Sequence, residues 1–432
     1  MFSALSKRPS FKIIVPVLAA ILLIPSKDAS AGIKDTVNVR IRDYREELGY
    51  FQKANRDIGD PHFMFMDEGE NVEFGIGGIA RVSAFYGFGG EIPQQKFAPS
   101  EIMVPTDNFP GFGAKISSSE LFFKARAKVG NGHKIITFVK INGNDDNMIK
   151  FDQAYISLDG FSLGLIPSFF MDLEVGVMNT GAGHGSQVDL VHPLFGYQHR
   201  FNENWSLGVA VENPQLALGE EYAKLGIVNN FQPLPDGVFH VKFNWKNGHI
   251  QLGSVIRNLT YRSFHHPETY TTDGEDRNSL GLGFALTGNY KPTSQLKLSW
   301  ELVSGKGIAS YMANLHNLNI DLGIMDEKRD NLPLMASIPV SSGHLAAQYD
   351  WSDKLSSSVI VGYTMCHKSK GVDTKNNFKS SMMAMANFFW DINDYAYMGV
   401  EYLYGHKDIY SKTGEPDNGN AHRIVYLIAY CF

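Results

Sequence analysis

The sequence predicts an all-β protein: a sixteen-stranded antiparallel transmembrane β-barrel with short periplasmic turns and long extracellular loops. Three observations predict it. Beyond residue 70 the apolar residues recur with period two. Tight and long connections alternate along the chain. The last strand ends on an aromatic residue, Phe432.

Composition narrows the classes first. With 44% hydrophobic and 19% charged residues among 432, the chain is too apolar to be disordered. It also lacks the several apolar runs of about 20 residues that a polytopic helical protein needs. Glycine (42) and aromatics (29 Phe, 19 Tyr, 5 Trp) are abundant while cysteine (2) is scarce, which suits a large exported β protein without disulfides. Cys366 and Cys431 each fall inside a candidate strand and read as free thiols. No closely spaced ligand set marks a metal site, and no cofactor motif is present.

The N-terminus reads as an export signal. Lys7, Arg8 and Lys12 precede an apolar stretch at 13–24, too short to span a bilayer, and Ala29-Ser30-Ala31 fits a cleavage site. Cleavage after Ala31 leaves a chain of net charge −9, which speaks against nucleic acid as a partner. Residues 32–70 then form a short periplasmic segment, and 71–432 the barrel.

Sixteen segments alternate: 72–87, 118–129, 133–142, 150–158, 161–168, 193–202, 204–212, 238–246, 249–261, 279–291, 294–304, 342–351, 355–366, 378–390, 395–405 and 421–432. The second is the clearest. Leu121, Phe123, Ala125, Ala127 and Val129 fall on one face, and Phe122, Lys124, Arg126 and Lys128 on the other, because successive strand side chains point to opposite faces. Turn chemistry closes alternate pairs: Gly130-Asn131-Gly132, Asp159-Gly160, Asn202-Glu203-Asn204, Asn247-Gly248, Pro292-Thr293, Ser352-Asp353-Lys354 and Asp391 to Asp394. The intervening connections are mostly long. A soluble sandwich would also alternate, but it would not place every long loop at one end. Tyr86, Phe201, Trp205, Trp245, Tyr290, Trp300, Tyr349, Trp390, Tyr402 and Tyr404 sit near strand ends, where membrane-interface girdles form. At the end of the chain, Tyr426, Ile428, Tyr430 and Phe432 share one face. Such a strand resembles the sorting signal that outer-membrane insertion machinery recognises.

The inward faces carry Arg81, Lys124, Arg126, Lys128, Lys140, Arg200, Lys242 and Arg257 as candidate pore-lining cations. The acidic candidates Glu73, Glu120, Asp152, Glu212 and Glu301 are fewer. A basic lumen concentrates anions.

Several motifs carry a family resemblance. Phe63-Met64-Phe65-Met66-Asp67-Glu68-Gly69 with Gly75-Ile76-Gly77-Gly78, Phe151-Asp152-Gln153-Ala154-Tyr155 through Phe169-Phe170-Met171-Asp172, and Trp205 through Pro214 resemble DcaP-type trimeric outer-membrane porins over residues 61–432. That resemblance implies a Gram-negative outer-membrane location, among its lipid and lipopolysaccharide, and a homotrimer passing small anionic solutes such as dicarboxylates. Resemblance to sixteen-stranded porins also implies that the third loop, after the fifth strand, folds inward and narrows the pore. Its candidate constriction residues are Asp172, Glu174, His184 and Asp189. Some members carry an N-terminal coiled coil, for which residues 32–60 are too short.

Two other readings remain open. Long loops at 88–117 and 305–340 suit an adhesin or binding barrel. A barrel enzyme would draw on His265-His266, His184 and Asp189, which form no recognisable catalytic motif.

Overall fold

The computed structural model describes residues 40–43, 63–66 and 71–432, apart from residues 91, 93–96, 109, 117–118, 131, 144–148, 182–185, 215, 217, 219, 230–231, 265–273, 330–331, 374–376, 412–414 and 416. The proposed export signal at 1–31 and His184, His265 and His266 therefore lie outside the described residues.

Sixteen strands close into one antiparallel barrel: β1 (Val72–Gly89), β2 (Glu120–Val129), β3 (His133–Gly143), β4 (Ile149–Leu158), β5 (Phe161–Pro167), β6 (Val191–Arg200), β7 (Trp205–Glu212), β8 (Asp236–Trp245), β9 (Gly248–Ser263), β10 (Glu275–Tyr290), β11 (Leu296–Lys306), β12 (Pro339–Ser352), β13 (Leu355–Cys366), β14 (Phe378–Asp391), β15 (Ala396–Ile409) and β16 (Asn418–Cys431). Each strand pairs with the next in sequence. β16 returns to β1 in the register Ala421↔Gly89 to Cys431↔Ile79. Closure leaves the sheet without free edges. Alternate connections span only two to five residues, as their turn residues require. At Asp159-Gly160 both residues have positive φ (48° and 89°), the backbone of a type I′ hairpin turn, which the glycine adopts without Cβ strain.

The outer face is apolar. Val82, Phe284, Leu302, Leu345, Val359 and Ile428 are all exposed, between 50% and 66%. A water-soluble barrel would not spread so many large apolar side chains over its outside. Phe201, Trp205, Tyr290 and Trp390 ring the turn end, and Tyr86 and Tyr402 stand at the loop end, all exposed. Tyr426, Ile428, Tyr430 and Phe432 point outward on β16. The Phe432 ring lies over Gly78, where an added Cβ would approach it to 2.6 Å, and the two residues exchange backbone hydrogen bonds.

The wall is uneven in height. β2 to β8 have seven to eleven residues, with β5 at seven and β7 at eight. β9 to β16 have eleven to sixteen. Accessory strands extend the barrel sheet: Arg40–Asp43 and Phe63–Met66 at the turn end of β1, Gly111–Lys115 beside its loop end, and Ile227–Asn229 beside β9. A separate three-stranded sheet (Leu322–Arg329, Leu332–Ser337, Val372–Asp373) is built from the loops after β11 and β13.

The core lies inside the barrel. Phe170 and Val188 of the loop after β5 pack with Ile308, Tyr311, Met312 and Leu315 of the loop after β11, against Val238, Val255 and Val340 of the wall. Phe97 and Ile102 of the loop after β1 pack with Met383, Met385 and Leu403. The described parts of the first and sixth loops thus turn inward and bury their apolar residues.

Candidate functional site

The described residues of the third loop, 168–181 and 186–190, follow the inside of the barrel. Its first limb is fixed by β7 to β11. Phe169 N donates to Glu212 at 2.8 Å, and His240 Nδ1 lies 2.8 Å from Phe169 O. Gln251 donates to Met171 O, Asn289 to Glu174 O, and Lys297 to Gly176 O. The next stretch reaches β12, β14 and β15: Met178 N donates to Gln348, Asn387 to Met178 O, and Thr180 to Glu401. The return limb meets β11 and the sixth loop. Val188 N donates to Glu301 at 2.5 Å, and Val188 forms an antiparallel bridge with Met312.

Asp172 is the best-anchored side chain of the first limb. Its carboxylate takes Thr287 Oγ1 and His249 Nε2 at 2.6 Å each, with Lys242 Nζ at 3.5 Å. Burial opposes its ionisation. The His249 hydrogen bond, the Lys242 and His249 charges and the Thr287 hydrogen bond outweigh burial and hold the carboxyl well below the ordinary range. Glu174 receives Lys242 Nζ at 2.7 Å and stays half-exposed. Asp189 is half-buried, its N–H donating to Tyr311 O.

The sixth loop is locked separately. Arg257 donates to Asp236 at 2.9 Å and to Asp321 at 3.1 Å, and its guanidinium stands 5.2 Å from the Tyr311 ring centre. Burial, followed by the negative charges of Glu212 and Asp236, pushes the Tyr311 phenol up. The Tyr311 hydroxyl donates to Glu212 and Asp236. Tyr311 therefore ties the sixth loop to the strand that also grips the start of the third.

Opposite these loops, β2 to β4 present a charged wall. Lys124, Arg126, Gln153 and Tyr155 face inward and keep partial exposure. The charges are cross-linked: Arg81 to Glu120 at 2.9 Å, Arg126 to Glu73 at 3.6 Å, and Lys140 to Asp152 at 2.7 Å and Glu120 at 3.8 Å. Six cations (Arg81, Lys124, Arg126, Lys128, Lys134, Lys140) share this face of β1 to β3 by register with two carboxylates (Glu73, Glu120), while β4 adds Asp152 against Lys140 and Lys150 opposite Asn142. Aromatic rings stand among them: Phe138 lies 6.0 Å from Phe122 and 5.4 Å from Tyr155.

The structure divides the eight expected pore-lining cations. Arg81, Lys124, Arg126, Lys128 and Lys140 share the β1–β3 wall. Three depart from expectation. Lys242 and Arg257 face inward but lie beneath the loops, at 8% and 1% exposure, so their charges anchor loops instead of meeting water. Arg200 stands at the turn end, its guanidinium on the carbonyls of Asn202 and Glu203. Asp172 turns to the wall because β8 to β10 offer it a cation and two hydrogen-bond donors. Glu401, Tyr311 and Asp321 were not anticipated. The apolar residues Ile308, Tyr311, Met312, Leu315 and Ile320, crowded into a long loop, were the available signal for its inward fold.

No family model and no curated protein matches the chain. Among solved structures, the outer membrane channel DcaP of Acinetobacter baumannii is similar at a TM-score of 0.69 and 15% identity, over 85% of this chain and 99% of that one. The fold is that of an outer-membrane channel barrel. Salmonella typhi OmpF, in complex with daunomycin, is similar at a TM-score of 0.51 and 10% identity, covering 84% and 99%. At these identities the likeness concerns the fold. What this chain brings to that fold is a closed sixteen-stranded antiparallel barrel.

Proposed function

We propose that the chain is a porin of a Gram-negative outer membrane that passes small hydrophilic solutes by diffusion and favours anions. The observation that carries this reading is the charged β2–β4 wall, partly exposed, facing a loop folded into the same barrel. Six cations against two carboxylates on the inward face of β1 to β3 give a positive field where a solute must pass. Dicarboxylates fit that field as substrates, in keeping with the family resemblance of the sequence.

The low wall supports assembly as a homotrimer. A transmembrane strand needs about 9–11 residues, and β5 and β7 fall short of that. Their outward residues Phe161, Leu163 and Val209 are nevertheless apolar and exposed. A second copy covering this side would remove the mismatch. In the same reading residues 1–31 direct export, 32–70 lie in the periplasm, the β16 strand is read by the insertion machinery, and lipid and lipopolysaccharide surround the tall wall.

The test is purified protein in a planar bilayer. Discrete conductance steps are expected, with a reversal potential in a salt gradient of the sign for anion preference. No conductance would overturn the porin reading. Cation preference would overturn only the reading of the charged wall.

A further inference from the structure

We propose that Glu212, Glu301 and Glu401 are positioning residues of the constriction: a three-point clasp that holds the third loop by its backbone. The inference rests on the porin reading for its functional meaning, but the clasp itself can be tested without it. The three glutamates stand on β7, β11 and β15, four strands apart around the wall. All three point inward and are buried, at 1%, 2% and 0% exposure. Each accepts a backbone N–H of the loop, from Phe169, Val188 and Thr180 at 2.8, 2.5 and 3.2 Å.

A carboxylate suits this task better than a neutral group. A loop inside a barrel has backbone donors that no sheet partner satisfies, and buried donors left unpaired are costly. One carboxylate offers about four lone-pair sites and so gathers several donors at once. Glu401 takes Thr180 N, Thr180 Oγ1 and Asn387 Nδ2. Glu212 takes Phe169 N and Ser168 Oγ, with His192 Nε2 at 2.7 Å. The points grip different parts of the loop: its start, its far reach and its return. Loss of one should therefore free one stretch, while the other two stay docked.

Hydrogen exchange of the folded, detergent-solubilised protein reads this directly, beside single-channel recording. Glu401→Leu should speed amide exchange at residues 177–181 at least tenfold. Glu301→Leu should do the same at 186–190. Exchange in the strands should stay at wild-type rates, and the open-channel current of both variants should show added noise and sublevels. Thr180→Val, which removes a single hydroxyl donor, should give a weaker form of the Glu401 effect and covers the case in which a leucine variant does not fold. Unchanged loop exchange, or equal acceleration throughout the strands, would overturn the clasp. A wild-type protein that does not conduct would overturn the porin reading, while the exchange data would still decide the clasp.

Discussion

Replacing Lys124 and Lys128 together by glutamine should weaken anion preference by an amount the geometry allows one to work out. Both lie on the inward face of β2, four residues apart, so their stems are about 13 Å apart along the strand and act as separate stations. A monovalent ion passing ~5 Å from one ammonium in water gains or loses about 0.8 kcal/mol. At 0.1 M salt, with a Debye length near 10 Å, screening leaves about 0.5 kcal/mol. That is roughly a twofold gain in local anion concentration and a matching loss for cations. The anion-to-cation permeability ratio should then fall about fivefold at 0.1 M salt. At 1 M, where the Debye length is about 3 Å, it should fall less than twofold. The assay is the reversal potential across a bilayer in a tenfold KCl gradient, run at both mean concentrations. An unchanged ratio at low salt would refute the placement of these residues on the conducting wall. An equal change at both concentrations would refute the electrostatic origin.

Three further outcomes follow from the loop anchors and the low wall. Arg257→Met should leave Asp236 and Asp321 buried without their cation and cost about 3–5 kcal/mol of stability, read as a lower unfolding midpoint in urea; adding Asp236→Asn and Asp321→Asn should restore part of it. Asp172 has its carboxyl held low in the folded chain, so its contribution is present above about pH 4 and lost only as pH falls below that. Asp172→Asn should thus raise hydrogen exchange at residues 170–176 at pH 5 as well as at pH 8, after correction for the intrinsic rate; exchange equal to wild type at pH 5 would contradict this. Leu163→Asp puts a charge on the outward face of the seven-residue β5, where Leu163 is 62% exposed, and should yield a folded single-copy barrel by light scattering; an unchanged assembly mass would remove the low wall as the contact surface.

The barrel was legible because a lipid-facing sheet writes its pattern at every second residue. The segment at 118–129 corresponds to Glu120–Val129, and 355–366 to Leu355–Cys366. Errors gather at loop ends. The expected 279–291 proves to be Glu275–Tyr290, because β10 rises past the membrane belt where Asp276 and Arg277 give no alternating signal. The strands of the loop sheet escaped for the same reason: Leu322–Arg329 turns from apolar to charged halfway, since only its first half packs on the core. The site was less legible. Alternation says that Lys242 and Arg257 point inward, but it cannot say that a loop distant in sequence lies over them. The cover comes from residues 168–176 and 307–321, whose apolar content has no period. Glu401 was missed because a carboxylate amid aromatics on β15 resembles any other inward polar position until Thr180 arrives beside it.

The inward loops also make the cylinder mechanically lopsided. From β7 around to β16 the staves are braced from within by close-packed side chains, which yield little under load. Along β2 to β5 much of the inner face keeps partial exposure, and β5, at seven residues, is the shortest stave of all. Pressure from outside would therefore bend the barrel on that side first. In the porin reading proposed above, that side also bounds the passage, so a second copy leaning on it would set the bore through which solutes move.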